Sequence, residues 1–389
     1  MFKRIPPGLN DFSRPRLELH ILRIFNHNSA WEALYYLEDR APSSGGENTT
    51  LEARKLQVTG GSTYLVTLPK KWVTEAQLKA GDVVFFAKAP DGGLYLHAQP
   101  SAGRGPRKAT VVVEKPEKKE HLMRRLIAAY IAGNDVLEVD FKGHVDPELR
   151  RAVREFTRMV IGPEILEETR NSIIIQDLSD PAQFSQEKCL RRMHLTIRAM
   201  HEEAIAALKS LNTALARDVV ARDEDIDRLF WMTAKQFNLM LVDASLAAKQ
   251  GIDLGTSSSY RQAAKVLERI GDHAQRIAAS VLYMEKEVDD KLMNYLEVAS
   301  AQALSIFDRS FMSLLTGSVE EANSAIDDIT EFDKALGKTS EALRAMKGRD
   351  IFALAGVIDS VGRTAHYSAD LAEIAINLVA SRPSQVAAR

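Results

Sequence analysis

Two pairs of carboxylates, each pair spaced four residues apart, are the side chains best placed to do chemistry. The pairs are Glu268 with Asp272 and Asp223 with Asp227. In a helix this spacing puts both members of a pair on one face. Glu268 and Asp272 fall nearly opposite an apolar stripe, so the pattern by itself predicts a solvated acidic face. The stripe consists of Val266, Ile270, Ile277 and Val281, and the cations that partly neutralise the acids are Lys265, Arg269 and Arg276.

Basic residues concentrate in a different part of the chain. Residues 51–125 carry 14 Lys and Arg against 7 Asp and Glu, whereas residues 126–389 carry 31 against 40, and the net charge is −2. A basic front and an acidic back indicate contact with a polyanion confined to the front, with ordinary solvated surface as the alternative.

Composition and motifs exclude several classes of protein. Cys189 is the single cysteine, no stretch reaches the 18 apolar residues of a membrane span, and the N-terminus has no apolar signal region, which together favour the cytoplasm. The chain has no P-loop, G-x-S-x-G, H-E-x-x-H or dinucleotide fingerprint. A catalytic di-metal bundle would need E-x-x-H pairs that project into its core. We therefore expect that this chain is not an enzyme.

The front half divides into three segments. Residues 1–50 are predicted to be a disordered extension, or an untranslated one if Leu51 is read from a UUG initiation codon. Residues 51–100 predict four short strands and one helix, a β-rich module too small to bury much core without a second copy. Residues 108–180 predict an α+β connector with the order β-α-β-α-β-β.

The back half predicts an all-α bundle of two three-helix repeats, over residues 185–286 and 288–382. Asn212 and Ser318 are predicted helix caps, and an aspartate, Asp227 or Asp333, follows each of them 15 residues later. These pairs are offset by 106 residues, whereas Arg269 and its counterpart Arg363 are offset by 94. An insertion confined to the loop expected around residues 251–259, with the helices otherwise in phase, indicates a duplicated unit.

The front module resembles the AbrB/SpoVT family of DNA-binding domains over residues 52–98. The resemblance is carried by Arg54–Gln57, Gly61–Tyr64, Thr67–Trp72 and Leu78–Asp82. It implies a homodimer of swapped hairpins that presents the basic residues of the first hairpin to DNA. Cations would neutralise phosphates, and hydroxyl groups would donate hydrogen bonds to them. The candidate DNA-binding residues are Arg54, Lys55, Ser62, Thr63, Lys70 and Lys71.

The back half resembles PhoU, the phosphate-uptake regulator, over residues 185–382. The strings that carry this are Leu267–Ala274, Arg222–Asp227 and Arg363–Ala375. The resemblance implies divalent or iron-type metal ions at the acidic pairs, with Asp223, Asp227, Glu268 and Asp272 as ligands. The second repeat departs from the pattern, because Gly362 and Ile329 replace two of the acids. Its weaker metal candidates are Asp333 and His366.

The order of module, connector and repeats resembles archaeal phosphate-uptake regulators. It implies a DNA-binding transcriptional regulator of phosphate uptake and homeostasis, acting at a promoter. The alternative is a signalling adaptor that docks on a phosphate transporter or sensor protein, in which the β-module only dimerises the chain.

Overall fold

The computed structural model describes residues 53–88, 93–98, 105–114, 117–143, 146–180 and 183–381. The extension predicted over residues 1–50 lies outside them. The chain divides into two compact units, Met1–Asp82 and Val83–Arg389. In the described residues, no helix combines the length and the apolar character that crossing a bilayer requires.

The first unit contains a hairpin and a short helix. Strands β1 (Gln57–Thr59) and β2 (Thr63–Leu65) pair antiparallel, and helix α1 (Lys70–Glu75) follows. Gly60 and Gly61 make the turn with φ values of 60° and 82°, a conformation that glycine adopts at little cost. Every residue of both strands is exposed.

The second unit opens with another hairpin, strands β3 (Phe85–Lys88) and β4 (Leu94–His97), which pair antiparallel. The four strands and one helix predicted for residues 51–100 are therefore present. The division between the two units falls inside that predicted module.

The connector has the predicted order of elements. Its strands are β5 (Lys108–Val113), β6 (Val136–Phe141), β7 (Pro163–Glu168) and β8 (Ser172–Asp177), and its helices are α2 (Lys119–Ile131) and α3 (Pro147–Met159). The sheet order is β5-β6-β8-β7, with only the first pair parallel. Alternate strand residues such as Val139 and Ile173 are buried, as are Leu126 and Phe156 of the helices. Asp146 caps α3, accepting a hydrogen bond from the Glu148 amide at 2.8 Å.

The bundle contains eight helices in the described residues from 183 onwards. They are α4 (Gln186–Lys209), α5 (Thr213–Val242), α6 (Ala244–Gln250), α7 (Leu254–Val281), α8 (Asp290–Thr316), α9 (Val319–Asp327), α10 (Ile329–Arg344) and α11 (Ile351–Ser381). In the first repeat α4, α5 and α7 pack together, and in the second α8, α9, α10 and α11 do so. The predicted caps are present, since Asn212 and Ser318 accept hydrogen bonds from the amides of α5 and α9.

Two details of the six-helix prediction were wrong. The loop expected around residues 251–259 is much shorter, because the additional short helix α6 ends at Gln250 and α7 already starts at Leu254. The long middle helix expected in the second repeat is divided into α9 and α10 at Asp328. Asp328 keeps right-handed helical angles, φ −67° and ψ −14°, so the chain resumes its helix immediately.

The connector is docked on the bundle through a buried cation. Lys235 of α5 is 3% exposed and forms an ion pair with Asp177 at the end of β8. Its ammonium group also lies 4.6 Å from the ring centre of Tyr130 on α2. Beside it, the amide nitrogen of Asn238 donates to the backbone oxygen of Ile131 at 2.8 Å. The ion pair and this hydrogen bond attach both α2 and the sheet to one helix.

The two repeats meet most extensively where α7 packs against α11. His273 of α7 lies 3.2 Å from the Ser360 hydroxyl, and Arg269 lies over the ring of Tyr367 at 5.7 Å. Position numbers rise along one helix as they fall along the other, so the helices run antiparallel. Small residues at this contact include Ser360 and Gly356, where an added Cβ would lie 3.9 Å from Oγ of Ser280 on α7.

His201 joins three helices of both repeats in the core. It is fully buried on α4, with Nε2 2.9 Å from the Ser300 hydroxyl of α8 and Nδ1 3.5 Å from the Thr364 hydroxyl of α11. Burial lowers the pKa of His201 to about 4. The imidazole is therefore neutral in the folded protein at physiological pH.

This buried histidine predicts a specific pH dependence of stability. Between the unfolded pKa of 6.5 and the folded value near 4, the unfolded chain binds a proton that the folded chain does not. Stability is therefore lost as pH falls through this window, at up to about 1.4 kcal/mol per pH unit. In urea unfolding from pH 7 to pH 4.5, the His201→Gln variant should lack this contribution. The exposed His121→Gln variant should follow wild type, and parallel pH profiles for wild type and His201→Gln would contradict the assignment.

Candidate functional site: the acidic seam

The four predicted metal ligands lie along one seam between α5 and α7, which we call the acidic seam. It consists of Asp223, Asp227, Glu268 and Asp272. Asp223 and Glu268 are only 7% and 5% exposed, and Asp227 and Asp272 are partly exposed. The prediction of a solvated acidic face was therefore wrong. Helix α7 packs against α4, α5 and α11, so the face opposite its apolar stripe is covered by α5.

Burial and mutual repulsion act together on these acids. Burial, followed by the charges of Asp272 and Glu268, raises the pKa of Asp223 well above its ordinary value. Burial and the neighbouring acids also raise the pKa of Asp227 well above its ordinary value. Burial and the charge of Glu268 raise the pKa of Asp272 to about 7. Ionising all four carboxylates of the seam at once therefore costs free energy, because they are close together and partly or fully buried.

Neighbouring side chains offset part of this charge, and the charge of Arg276 lowers the pKa values of Asp223 and Asp272. The Lys265 ammonium donates to Glu268 Oε2 at 2.6 Å, and the Gln275 amide donates to Asp223 Oδ2 at 2.9 Å. Lys265 also lies 5.3 Å from the ring centre of Phe230. Gly271 keeps α5 close, since a Cβ there would lie 3.3 Å from Ile226 Cγ2.

The donor chemistry of the seam suits a hard cation, which prefers several oxygen ligands. Among the described residues, however, no three His, Cys, Asp or Glu side chains lie close enough together to hold one ion. Metal binding at Asp223, Asp227, Glu268 and Asp272 therefore stays a prediction.

The weaker candidates of the second repeat contact each other. His366 Nε2 lies 3.2 Å from Asp333 Oδ1, and both side chains are about half exposed. They occupy the positions of Asp272 and Asp227 in the first repeat, so the register of the duplication is kept while the acidic cluster is not.

The six predicted DNA-binding residues are all exposed. Ser62 and Thr63 lie at the turn of the first hairpin, whereas Arg54 and Lys55 precede β1 and Lys70 and Lys71 follow β2. Because Gln57 pairs with Leu65, the four cations belong to the open end of the hairpin and the two hydroxyl groups to its closed end. Lys71 lies 3.9 Å from Glu75 in an exposed pair, which contributes little to stability.

Comparisons with known proteins agree with both parts of this arrangement. Residues 190–281 match the PhoU domain, and residues 57–104 match the family described as antidote-toxin recognition MazE, bacterial antitoxin. No curated protein sequence matches the chain. The chain therefore carries a PhoU domain, which spans α4 to α7 and the acidic seam, behind a MazE/AbrB-like domain. Both are non-enzymatic kinds of domain.

Solved structures with a similar arrangement include two PhoU proteins. The phosphate transport system regulatory protein PhoU from Streptococcus pneumoniae is 20% identical, with a TM-score of 0.43 over 50% of this chain and 92% of that one. PhoU from Pseudomonas aeruginosa is 18% identical, with a TM-score of 0.46 over 52% of this chain and 98% of that one.

Charge crowding in the acidic seam predicts that removing one charge stabilises the protein. In the presence of a chelator at neutral pH, Asp223→Asn should raise the free energy of unfolding by about 1–3 kcal/mol, because the amide relieves repulsion and still accepts from Gln275. Urea unfolding measures this. The control is Asp225→Asn, two positions along the same helix but half exposed, which should change stability by less than about 0.5 kcal/mol. A less stable Asp223→Asn variant would contradict the predicted repulsion among the carboxylates of the seam.

Proposed function

We propose that this protein is a DNA-binding transcriptional regulator of phosphate uptake, in which the helical repeats relay phosphate status to a dimeric β-module. The observation that carries the proposal is the presence in one chain of a PhoU domain and an exposed, basic MazE/AbrB-like hairpin. The first type of domain connects the chain to phosphate-transport regulation, and the second supplies a surface for a polyanion.

Apolar exposure in the β-module supports a second copy of the chain. Leu56, Val58 and Tyr64 of the first unit are 65%, 60% and 66% exposed. Phe86 and Leu94, on the second hairpin, are 61% and 65% exposed. An isolated two-stranded hairpin is marginally stable in water, and side chains of this size favour burial. A homodimer that covers these residues is therefore part of the proposal.

Contact between DNA and the open end of the first hairpin predicts a salt-dependent affinity. Lys70→Gln with Lys71→Gln should weaken binding to the chain's own upstream promoter and reduce the slope of log affinity against log salt by about 2, since two phosphate contacts are lost. Electrophoretic mobility shift or fluorescence anisotropy at several salt concentrations measures both quantities. The matched control is Lys334→Gln with Lys338→Gln on α10, two exposed lysines of the bundle that should leave the slope unchanged.

One outcome would favour the adaptor instead. If the wild-type dimer binds no promoter DNA even at low salt, the module serves dimerisation, and the protein docks on a phosphate transporter or sensor. Capture of such a partner by the wild-type chain would then replace the proposal of transcriptional control.

A divalent or iron-type cation at the acidic seam belongs to the same proposal. It is supported by four carboxylates on facing helices and by the raised pKa values of three of them, because a bound cation would offset their repulsion. When bound, the ion would add positive charge to that of Lys265, whose ammonium group donates directly to Glu268.

Metal binding is measured by equilibrium dialysis with Mn²⁺ on the full chain. Asp223→Asn with Glu268→Gln should weaken binding about tenfold or more, because two oxygen ligands lose their charge. Asp333→Asn with His366→Gln in the second repeat should leave binding within about twofold of wild type. Equal binding by both double variants, or none by wild type, would remove the metal from the proposal.

A further inference from the structure

An open groove lies between α10 and α11 in the second repeat, beside the positions that correspond to the acidic seam of the first, of which Gly362 and His366 belong to its lining. Its volume is about 700 Å³, within the range of pockets that hold small organic ligands. Leu336, Leu343 and Ile358 provide apolar lining, and Arg344, Arg363 and His366 provide cationic or polar lining. We call it the basic groove.

The first repeat shows why the groove is open. There the Lys265 ammonium lies over the ring of Phe230, and the Arg261 guanidinium lies 5.0 Å from the ring centre of Phe237. The offset of 106 places Leu336 and Leu343 where these two rings stand, so smaller side chains occupy the second seam. The second repeat thus lacks the two phenylalanine rings that fill the corresponding space in the first.

Helix α11, on the other side of the groove, also carries smaller side chains than its counterpart α7. The offset of 94 places Ala355 at the position of Arg261, Asp359 at that of Lys265 and Gly362 at that of Glu268. A Cβ added to Gly362 would lie 2.9 Å from Leu336 Cδ2, so the Leu336 side chain reaches the backbone of α11 here. The groove therefore accompanies paired changes on both helices.

Charge in the basic groove is the reverse of charge in the acidic seam. Asp359 is the one acid among the described lining residues, and its Oδ1 lies 3.6 Å from Nε of Arg363. Within the described chain, no carboxylate is paired with Arg344. Its guanidinium is exposed at the groove, where it is available to a ligand. His366 contacts Asp333 outside the lining.

We infer that the basic groove binds a small organic oxyanion, a carboxylate or phosphate carried on an apolar body. Arginine guanidinium groups bind both kinds of oxyanion through paired hydrogen bonds. The apolar body would lie against Leu336, Leu343 and Ile358, and the oxyanion would contact Arg344 and Arg363. This site does not depend on DNA binding or on metal binding at the acidic seam.

Isothermal titration of the full chain with model ligands tests the class of ligand. Phenyl phosphate and benzoate represent the two sources of the oxyanion, and at least one of them should bind. Phenol lacks the charge and inorganic phosphate lacks the apolar body, so each should bind at least about tenfold more weakly than the better of the two. Equal binding by phenol or by inorganic phosphate would overturn the inference, as would the absence of binding by both phenyl phosphate and benzoate at 10 mM, about the weakest affinity the method resolves.

Two double variants locate the site. Leu336→Phe with Leu343→Phe restores the rings of the first repeat and should abolish binding by filling the groove. Arg344→Gln with Arg363→Gln leaves the groove open and should weaken binding about tenfold or more, which keeps the test decisive if the filled variant does not fold. The control is Arg269→Gln, the counterpart of Arg363 in the first repeat, which should bind as wild type does.

Two further results would also overturn the inference. Unchanged affinity in both double variants would place any binding elsewhere. A change in oligomeric state on Arg344→Gln with Arg363→Gln, measured by light scattering, would show that the groove is instead an interface between copies of the chain.

Discussion

The antiparallel packing of α7 against α11 is the constraint on which the bundle depends. Gly356 and the Ser360 hydroxyl group lie at this contact, and each helix also packs against other helices of its own repeat. Helix α7 therefore keeps only a narrow exposed face, at Gln262, Arg269 and Arg276, and polar residues such as Glu268 are buried beside it. The acidic seam follows from this packing on α7, and the basic groove forms beside the equivalent positions on α11.

The sequence predicted most of the elements because their signals are local. Asn212, Ser318 and Asp146 mark helix starts with side chains that accept hydrogen bonds from nearby amides, and all three do so. The Gly60-Gly61 turn is local in the same sense. The duplication also follows from spacing alone, and equivalent contacts in the two seams support the offsets of 106 and 94.

Other features depend on residues far apart in the chain. A helical wheel identifies one apolar stripe, but it does not show that α5 covers the opposite face, so Glu268 was placed in solvent although it is 5% exposed. The ion pair between Asp177 and Lys235 links residues 58 positions apart, and nothing near either residue indicates it. The division at Asp328 has neither proline nor glycine to mark it. The basic groove requires comparing side-chain volumes between repeats once their register is known.

Helix α5 links the acidic seam rigidly to the connector. Asp223 and Lys235 are twelve residues apart on this uninterrupted helix, which corresponds to about 18 Å along its axis. A continuous helix resists compression along its axis over such a length, because shortening it would require breaking backbone hydrogen bonds. Displacement of α5 along its axis at the acidic end would therefore also displace Lys235 and the four-stranded sheet paired with it.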